Sequence, residues 1–240
     1  MAESLFSFLC ATFYRWVQVW PEVCLELDGA PHLLAVGDLH VENFGTWRDT
    51  DGRLVPTMKG KVPESAREAI EHLLPQPGLK YRLARRVAGL GSLGHMRFVA
   101  IVEWRGGRVA REAKALVPSS MHWLSPERTP GEILYATVLK RAVRCADPYV
   151  QLRGHWIVRR LSPDCSRIEL ESLGKNRGEL RLLQSMGWEA ANIHLGTEEK
   201  RKAVLKDLGR RKGNWLMAGA EAMAGAMETD WRTWREHWKS

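Results

Sequence analysis

Between Tyr81 and Ala115 the chain is rich in β-forming residues that glycines interrupt twice, and this stretch limits the folds open to it. Arg82 to Ala88, Phe98 to Trp104 and Arg108 to Ala115 are three candidate strands. Gly89-Leu90-Gly91-Ser92-Leu93-Gly94 separates the first two, and Arg105-Gly106-Gly107 the last two. A double glycine suits a tight hairpin, because positive φ costs glycine little. Two contexts compete for the spacing Gly89-x-Gly91-x-x-Gly94. A dinucleotide fold needs a helix directly after the glycines, whereas a loop that covers phosphates needs a second strand. Phe98, Val99, Ile101 and Val102 are β-formers, so the second context fits better.

Around this stretch the pattern is helical. Residues 5–20 mix aromatic and aliphatic side chains at helical spacing, with Pro21 limiting that helix. Leu33 to Val36 is a short apolar run expected as a buried strand, with Arg53 to Met58 as its hairpin partner beyond the turn Asp49-Thr-Asp-Gly52. Glu64 to Leu74 is expected as a short helix, and Gly131 to Val143 as another. Tyr149 to Leu161 should hold two short strands around Arg153-Gly154. Helices are expected over Glu179 to His194, Glu198 to Leu208 and Asn214 to Trp238. Trp231, Trp234 and Trp238 share one face of the last, the pattern of a helix docking on the body of the protein. The layout is α+β, with the sheet in mid-chain.

Composition narrows the function classes. With 45% hydrophobic and 27% charged residues, the 240-residue chain is globular and large enough for one domain or two small lobes. Its net charge of +8 favours anionic partners such as phosphates, nucleotides or nucleic acid. No apolar run approaches the roughly 20 residues that span a bilayer, so no membrane partner is expected. Ser4 to Val19 reads poorly as a secretory signal, since no Lys or Arg precedes it and Arg15 interrupts it. The four cysteines Cys10, Cys24, Cys145 and Cys165 are scattered without zinc spacing, as expected of reduced thiols in a cytoplasm. Basic pairs such as Arg85-Arg86 and Arg159-Arg160 read as solvated faces. The 198–212 cluster lacks interleaved aromatics, so nucleic acid is not the expected partner.

Two segments carry chemistry. Gly37-Asp38-Leu39-His40-Val41-Glu42-Asn43 sets an amide oxygen five residues after a carboxylate. In phosphoryl transfer such a carboxylate accepts a hydroxyl proton and the amide holds a divalent cation. A polar loop with Asp38 bonding its own turn is the other reading. The second segment is the glycine loop, followed twenty residues after Gly94 by Lys114 on the third candidate strand, where a kinase-type lysine contacts nucleotide phosphates. Such a lysine needs an acidic partner on the next helix. Glu132 is the only acid in Gly131 to Arg144, although a first-turn acid is also what the helix dipole favours.

Together, GDLHVENFGTW (37–47), YRLARRVAGLGSLG (81–94), EAK (112–114), WIVRRL (156–161), AANIH (190–194) and SLFSFL (4–9) resemble the bacterial family known as domain of unknown function 2252. That family is grouped with protein-kinase-like and aminoglycoside-phosphotransferase-like folds. The resemblance implies a two-lobed, circularly permuted kinase-like fold, with a small β-rich lobe in mid-chain and a shortened helical lobe built from both ends. Residues 1–62 would carry the catalytic loop, 63–80 a connection, 81–165 the nucleotide lobe and 166–240 the helical remainder. Asp38 would be the catalytic base, with His40 beside it in the catalytic loop, and Asn43 a magnesium ligand. Gly89, Gly91, Ser92 and Gly94 would cover the phosphates of ATP, Lys114 would bind them, and Glu132 would pair with Lys114. The permuted order would set the last helices beside the first segment.

The chain departs from that family where a metal-binding acidic segment is expected after the catalytic loop. Here Arg53-Leu-Val-Pro-Thr-Met58 runs into Lys59-Gly60-Lys61, with no acid before Glu64. Losing that carboxylate weakens Mg²⁺ binding, on which transfer depends. Two readings therefore stay open: a phosphotransferase moving the γ-phosphoryl of ATP to a hydroxyl acceptor, or a non-catalytic nucleotide- or protein-binding module.

Overall fold

The computed structural model describes residues 1–2, 4–27, 29–37, 39, 45–46, 62–86, 95–123, 132–143, 146–161, 166–167 and 178–239. In chain order their elements are α1 (Leu5–Ala11), α2 (Phe13–Val23), β1 (Gly45–Thr46), α3 (Glu64–Glu71), β2 (Tyr81–Arg85), β3 (Arg97–Trp104) and β4 (Gly107–Ala115). There follow α4 (Tyr135–Arg141), β5 (Gln151–Arg153), β6 (Trp156–Leu161), β7 (Ser166–Arg167), α5 (Gly178–His194), α6 (Arg201–Leu208) and α7 (Trp215–Lys239). The fold is α+β, with a five-stranded antiparallel sheet in the order β2-β3-β4-β6-β5 and a separate β1-β7 pair. The chain divides into two compact units. One comprises Met1–Asp38, Pro118–Ala142 and Ile193–Ser240, the other Leu39–Val117 and Val143–Asn192.

The sheet unit is built on tight hairpins. Trp104 pairs with Gly107 across a two-residue turn in which Arg105 and Gly106 both have positive φ, so a glycine here removes half of the strain. Arg153 pairs with Trp156 across another two-residue turn, in which only Gly154 has positive φ. Ala66, Ala69 and Ile70 lie on one side of α3 and are buried, at the i, i+3, i+4 spacing that makes a helix face. They pack with Phe98, Ala100, Ala113, Trp156 and Val158 of the sheet. Trp156 donates its indole N–H to Ser65 Oγ at 3.1 Å, which satisfies the one polar atom of a buried ring. Arg111 Nε donates to the Leu73 carbonyl at 2.8 Å, just past the C-terminal end of α3. The segment expected to connect lobes thus supplies the helix that covers one face of the sheet.

In the helical unit, Phe8, Val19, Cys24, Leu27, Met223 and Met227 form a buried cluster with Trp16, Trp20, Trp231 and Trp234 packed against it. The last helix therefore lies on the first two. Arg15 on α2 binds Asp230 on α7 with both Nε and Nη2, at 2.6 and 3.3 Å, and the Trp231 indole N–H donates to Met1 O. Trp238 is 71% exposed and stacks on Trp234, with ring centroids 5.5 Å apart.

Three local expectations change. The helix over residues 5–20 is two helices broken at Thr12, whose hydroxyl donates to Phe8 O at 2.7 Å while its backbone leaves helical geometry. The second of them continues through Pro21 to Val23. Leu33 to Val36 is not a strand: residues 31–37 have no regular structure, and the N–H groups of Leu34 and Val36 donate to the side chains of Thr197 and His194. The expected partner, Arg53 to Met58, lies outside the described residues. The helix expected from Gly131 begins only at Tyr135. Among the described residues no helix is long and apolar enough to cross a membrane.

Candidate functional site

Strand side chains alternate between faces, so Glu112 and Lys114 point away from the face where Ala113 meets α3. Register gathers cations around them. Arg97 lies opposite Lys114 on β3, and Arg159 lies opposite Glu112 on β6. Arg86, one residue past β2, donates its backbone N–H to Arg97 O at 2.9 Å. Four strands thus bring four basic side chains to one carboxylate.

That carboxylate is completely buried. Arg86 Nη1 reaches Glu112 Oε1 at 2.8 Å, and Arg97 Nη1 stands 3.8 Å from the same oxygen. Arg159 holds Oε2 through both Nε and Nη2 at 2.8 Å. Burial alone would raise the pKa of Glu112, but Arg159, Arg86 and Arg97, in that order, outweigh it and hold the carboxyl below its ordinary range. The side chains of Arg86 and Arg97 are 12% and 11% exposed, whereas Arg159 is 43% exposed and forms the rim.

Lys114 differs from these arginines. Its ammonium makes no hydrogen bond or ion pair among the described residues, and it is half-buried. Burial first, then Arg97 and Arg159, lower its pKa below the ordinary value, with Glu112 opposing. Burial also lowers that of Arg97, and Arg159 and Arg86 add to the effect. Among the described residues the cluster brings four cations to one carboxylate on one side of the sheet. It does not suit a divalent cation, because both oxygens of Glu112 are engaged by guanidinium groups.

Of the residues expected at a site, Lys114 lies in this cluster, beside Arg97. Glu132 lies in the helical unit, exposed and ahead of α4, where His122 Nε2 donates to its backbone carbonyl at 3.0 Å. The carboxylate beside Lys114 is Glu112. Asp38, His40, Asn43, Gly89, Gly91, Ser92 and Gly94 lie outside the described residues. Arg86 and Arg159, expected on solvated faces, instead enclose Glu112. The overlooked clue was the alternation Glu112-x-Lys114, which sets two opposite charges on one strand face.

The approach to Asp38 is described as far as Gly37, within the helical unit. Leu34 N–H donates to Thr197 Oγ1 at 3.0 Å, and Val36 N–H points to His194 Nε2 at 3.4 Å. An imidazole accepts only when neutral, and burial lowers the His194 pKa toward that form. A Cβ added at Gly37 would sit 2.9 Å from Phe13 Cζ, so the segment passes close over that ring.

Comparison of the chain with protein-family models, with curated proteins and with solved structures found no match.

Proposed function

We propose that the protein is kinase-like, of the phosphotransferase type, and binds the phosphates of ATP at the Lys114 cluster. The observation that carries this reading is the position of Lys114: a half-buried cation, without an ion-pair partner among the described residues, on the third strand of the five-stranded sheet, after a glycine-bearing connection between the first and second strands. In protein kinases the phosphate-binding lysine occupies the third strand after a glycine-rich loop. A permuted order requires the two ends of the chain to meet, and the packing of α1 and α2 on α7 is compatible with it. In this reading Gly89, Gly91, Ser92 and Gly94 cover the phosphates, Asp38 takes the proton of a hydroxyl acceptor with His40 beside it, and Asn43 holds Mg²⁺.

A second reading, a non-catalytic nucleotide-binding module, is favoured by one feature of the sequence. Lys59 and Lys61 stand where the metal-binding acids would be expected. ATP binding and γ-phosphoryl turnover, measured on wild type, Lys114→Met and Asp38→Asn, separate the two. The catalytic reading expects Lys114→Met to lose binding and Asp38→Asn to keep binding while losing turnover. Unchanged turnover in Asp38→Asn would remove Asp38 from the mechanism. ATP binding without turnover in the wild type would leave the binding module.

A further inference from the structure

We propose that His194 and Thr197 are positioning residues: they clamp residues 34–36 by the backbone and so fix the chain that enters Asp38. The inference rests on the phosphotransferase reading, which makes Asp38 the catalytic base. Residues 31–37 have no regular structure, and side chains meet their N–H groups where a strand ladder otherwise would. Leu34 N–H donates to Thr197 Oγ1 at 3.0 Å and Val36 N–H to His194 Nε2 at 3.4 Å. Both acceptors belong to one turn, in which Thr197 N–H donates to His194 O at 3.1 Å and Gly196 N–H to Ile193 O at 3.2 Å. Thr197 is buried, and α4 backs the turn: a Cβ at Gly196 would lie 2.7 Å from Arg141 O.

One residue past Val36, Gly37 passes over the Phe13 ring of α2 with no room for a side chain, since a Cβ would sit 2.9 Å from Cζ. Anchors at Leu34, Val36 and Gly37 thus fall on the four residues that lead into Asp38. A reacting group keeps its place only as well as its supporting contacts hold it, and a misplacement of about 1 Å can cost about 100-fold in rate. One of the anchors titrates. The imidazole accepts from Val36 only while neutral, and burial alone lowers its pKa, so it stays neutral to lower pH than an ordinary histidine. The charged or titratable groups on the elements that meet there are His32 of the segment, Tyr14 and Arg15 of α2, Arg141 of α4, Glu189 of α5 and Glu198 beside Thr197. None of them contributes to that shift.

The test is amide hydrogen exchange of the full chain, with ATP turnover and ATP affinity measured alongside. In the wild type Leu34 and Val36 should be protected at neutral pH. As pH falls below the ordinary histidine range, protection at Val36 should drop at least tenfold. Leu34, whose acceptor is a hydroxyl, should lose less. His194→Leu should lose protection at Val36, lower turnover at least tenfold and leave ATP affinity within about twofold. His194→Gln keeps an acceptor in place of Nε2, so it should restore both protection and turnover and remove the pH dependence. Thr197→Val set against Thr197→Ser repeats the comparison at Leu34, should a His194 variant not fold. Protection untouched by pH and by both His194→Leu and Thr197→Val would overturn the inference and leave the phosphotransferase reading standing, as would lost protection with unchanged turnover. A wild type without turnover, whose Val36 protection still follows pH, would overturn that reading and leave the clamp standing.

Discussion

Arg159 grips Glu112 across the β4–β6 register with two nitrogens on one oxygen, Nε and Nη2 each 2.8 Å from Oε2. The pair is asymmetric: the carboxylate is fully buried, while the guanidinium reaches solvent. Removing the buried partner of such a pair strands several charges, which is costlier than the net worth of the pair.

Glu112→Gln should therefore destabilise the sheet unit by about 3–5 kcal/mol. Its pH dependence has a defined sign. The carboxyl pKa is lowered on folding, so its contribution is complete above the unfolded value and fades as pH falls through the lower folded value. Denaturant unfolding of wild type and variant should show the largest gap near neutrality, narrowing below about pH 4. A gap independent of pH would show that the charge of Glu112 is not what stabilises the strands.

Lys114→Met should act in the opposite direction. Burial first, and then Arg97 and Arg159, lower the pKa of its ammonium, so folding disfavours its proton. Without ligand, the variant should be more stable at neutral pH by up to about 1 kcal/mol, on the scale of cross-strand like-charge repulsion. In the wild type that penalty is relieved as pH rises through the folded pKa toward the unfolded one, so the advantage of Met should disappear in that window. Thermal melts at neutral and alkaline pH measure both effects, and a variant less stable at neutral pH would contradict the repulsion.

Ser65→Ala tests how α3 is fastened to the sheet. It leaves the buried Trp156 indole N–H without its acceptor, a loss of about 1–3 kcal/mol. Chemical denaturation should register that cost, while Ser65→Thr keeps an acceptor oxygen and should recover most of it.

Gly37→Ala places a methyl group against the Phe13 ring, at 2.9 Å from Cζ. Overpacking of this kind costs about 1–3 kcal/mol. Phe13→Leu should rescue much of the loss in a double variant, and additive losses would show that the two residues do not meet.

Much of the fold was legible in the sequence because its cues are local. The double glycine at 106–107 announced the β3–β4 hairpin, and the β-formers after Gly94 announced β3. The spacing of Trp231 and Trp234 announced a buried helix face; Trp238, one turn on, runs past the cluster and is exposed. Leu33 to Val36 misled because apolar residues imply burial without specifying a partner. Its N–H groups are met by Thr197 and His194, side chains more than 150 residues away in sequence. The charge cluster was illegible for a related reason. Arg86, Arg97, Glu112, Lys114 and Arg159 meet only through the register of four strands, which a one-residue slip would undo.

The central claim is that Lys114 belongs to a nucleotide site, and a thermal-shift titration with ATP on wild type and Lys114→Met tests it most directly. At about 100 times its Kd a ligand adds about 2.7 kcal/mol of stability. In a chain of this size that raises the midpoint by about 5–11 °C. The wild type should show this rise and Lys114→Met should show none. A wild type that melts cooperatively and does not shift, or a variant that shifts as far as the wild type, would contradict the account.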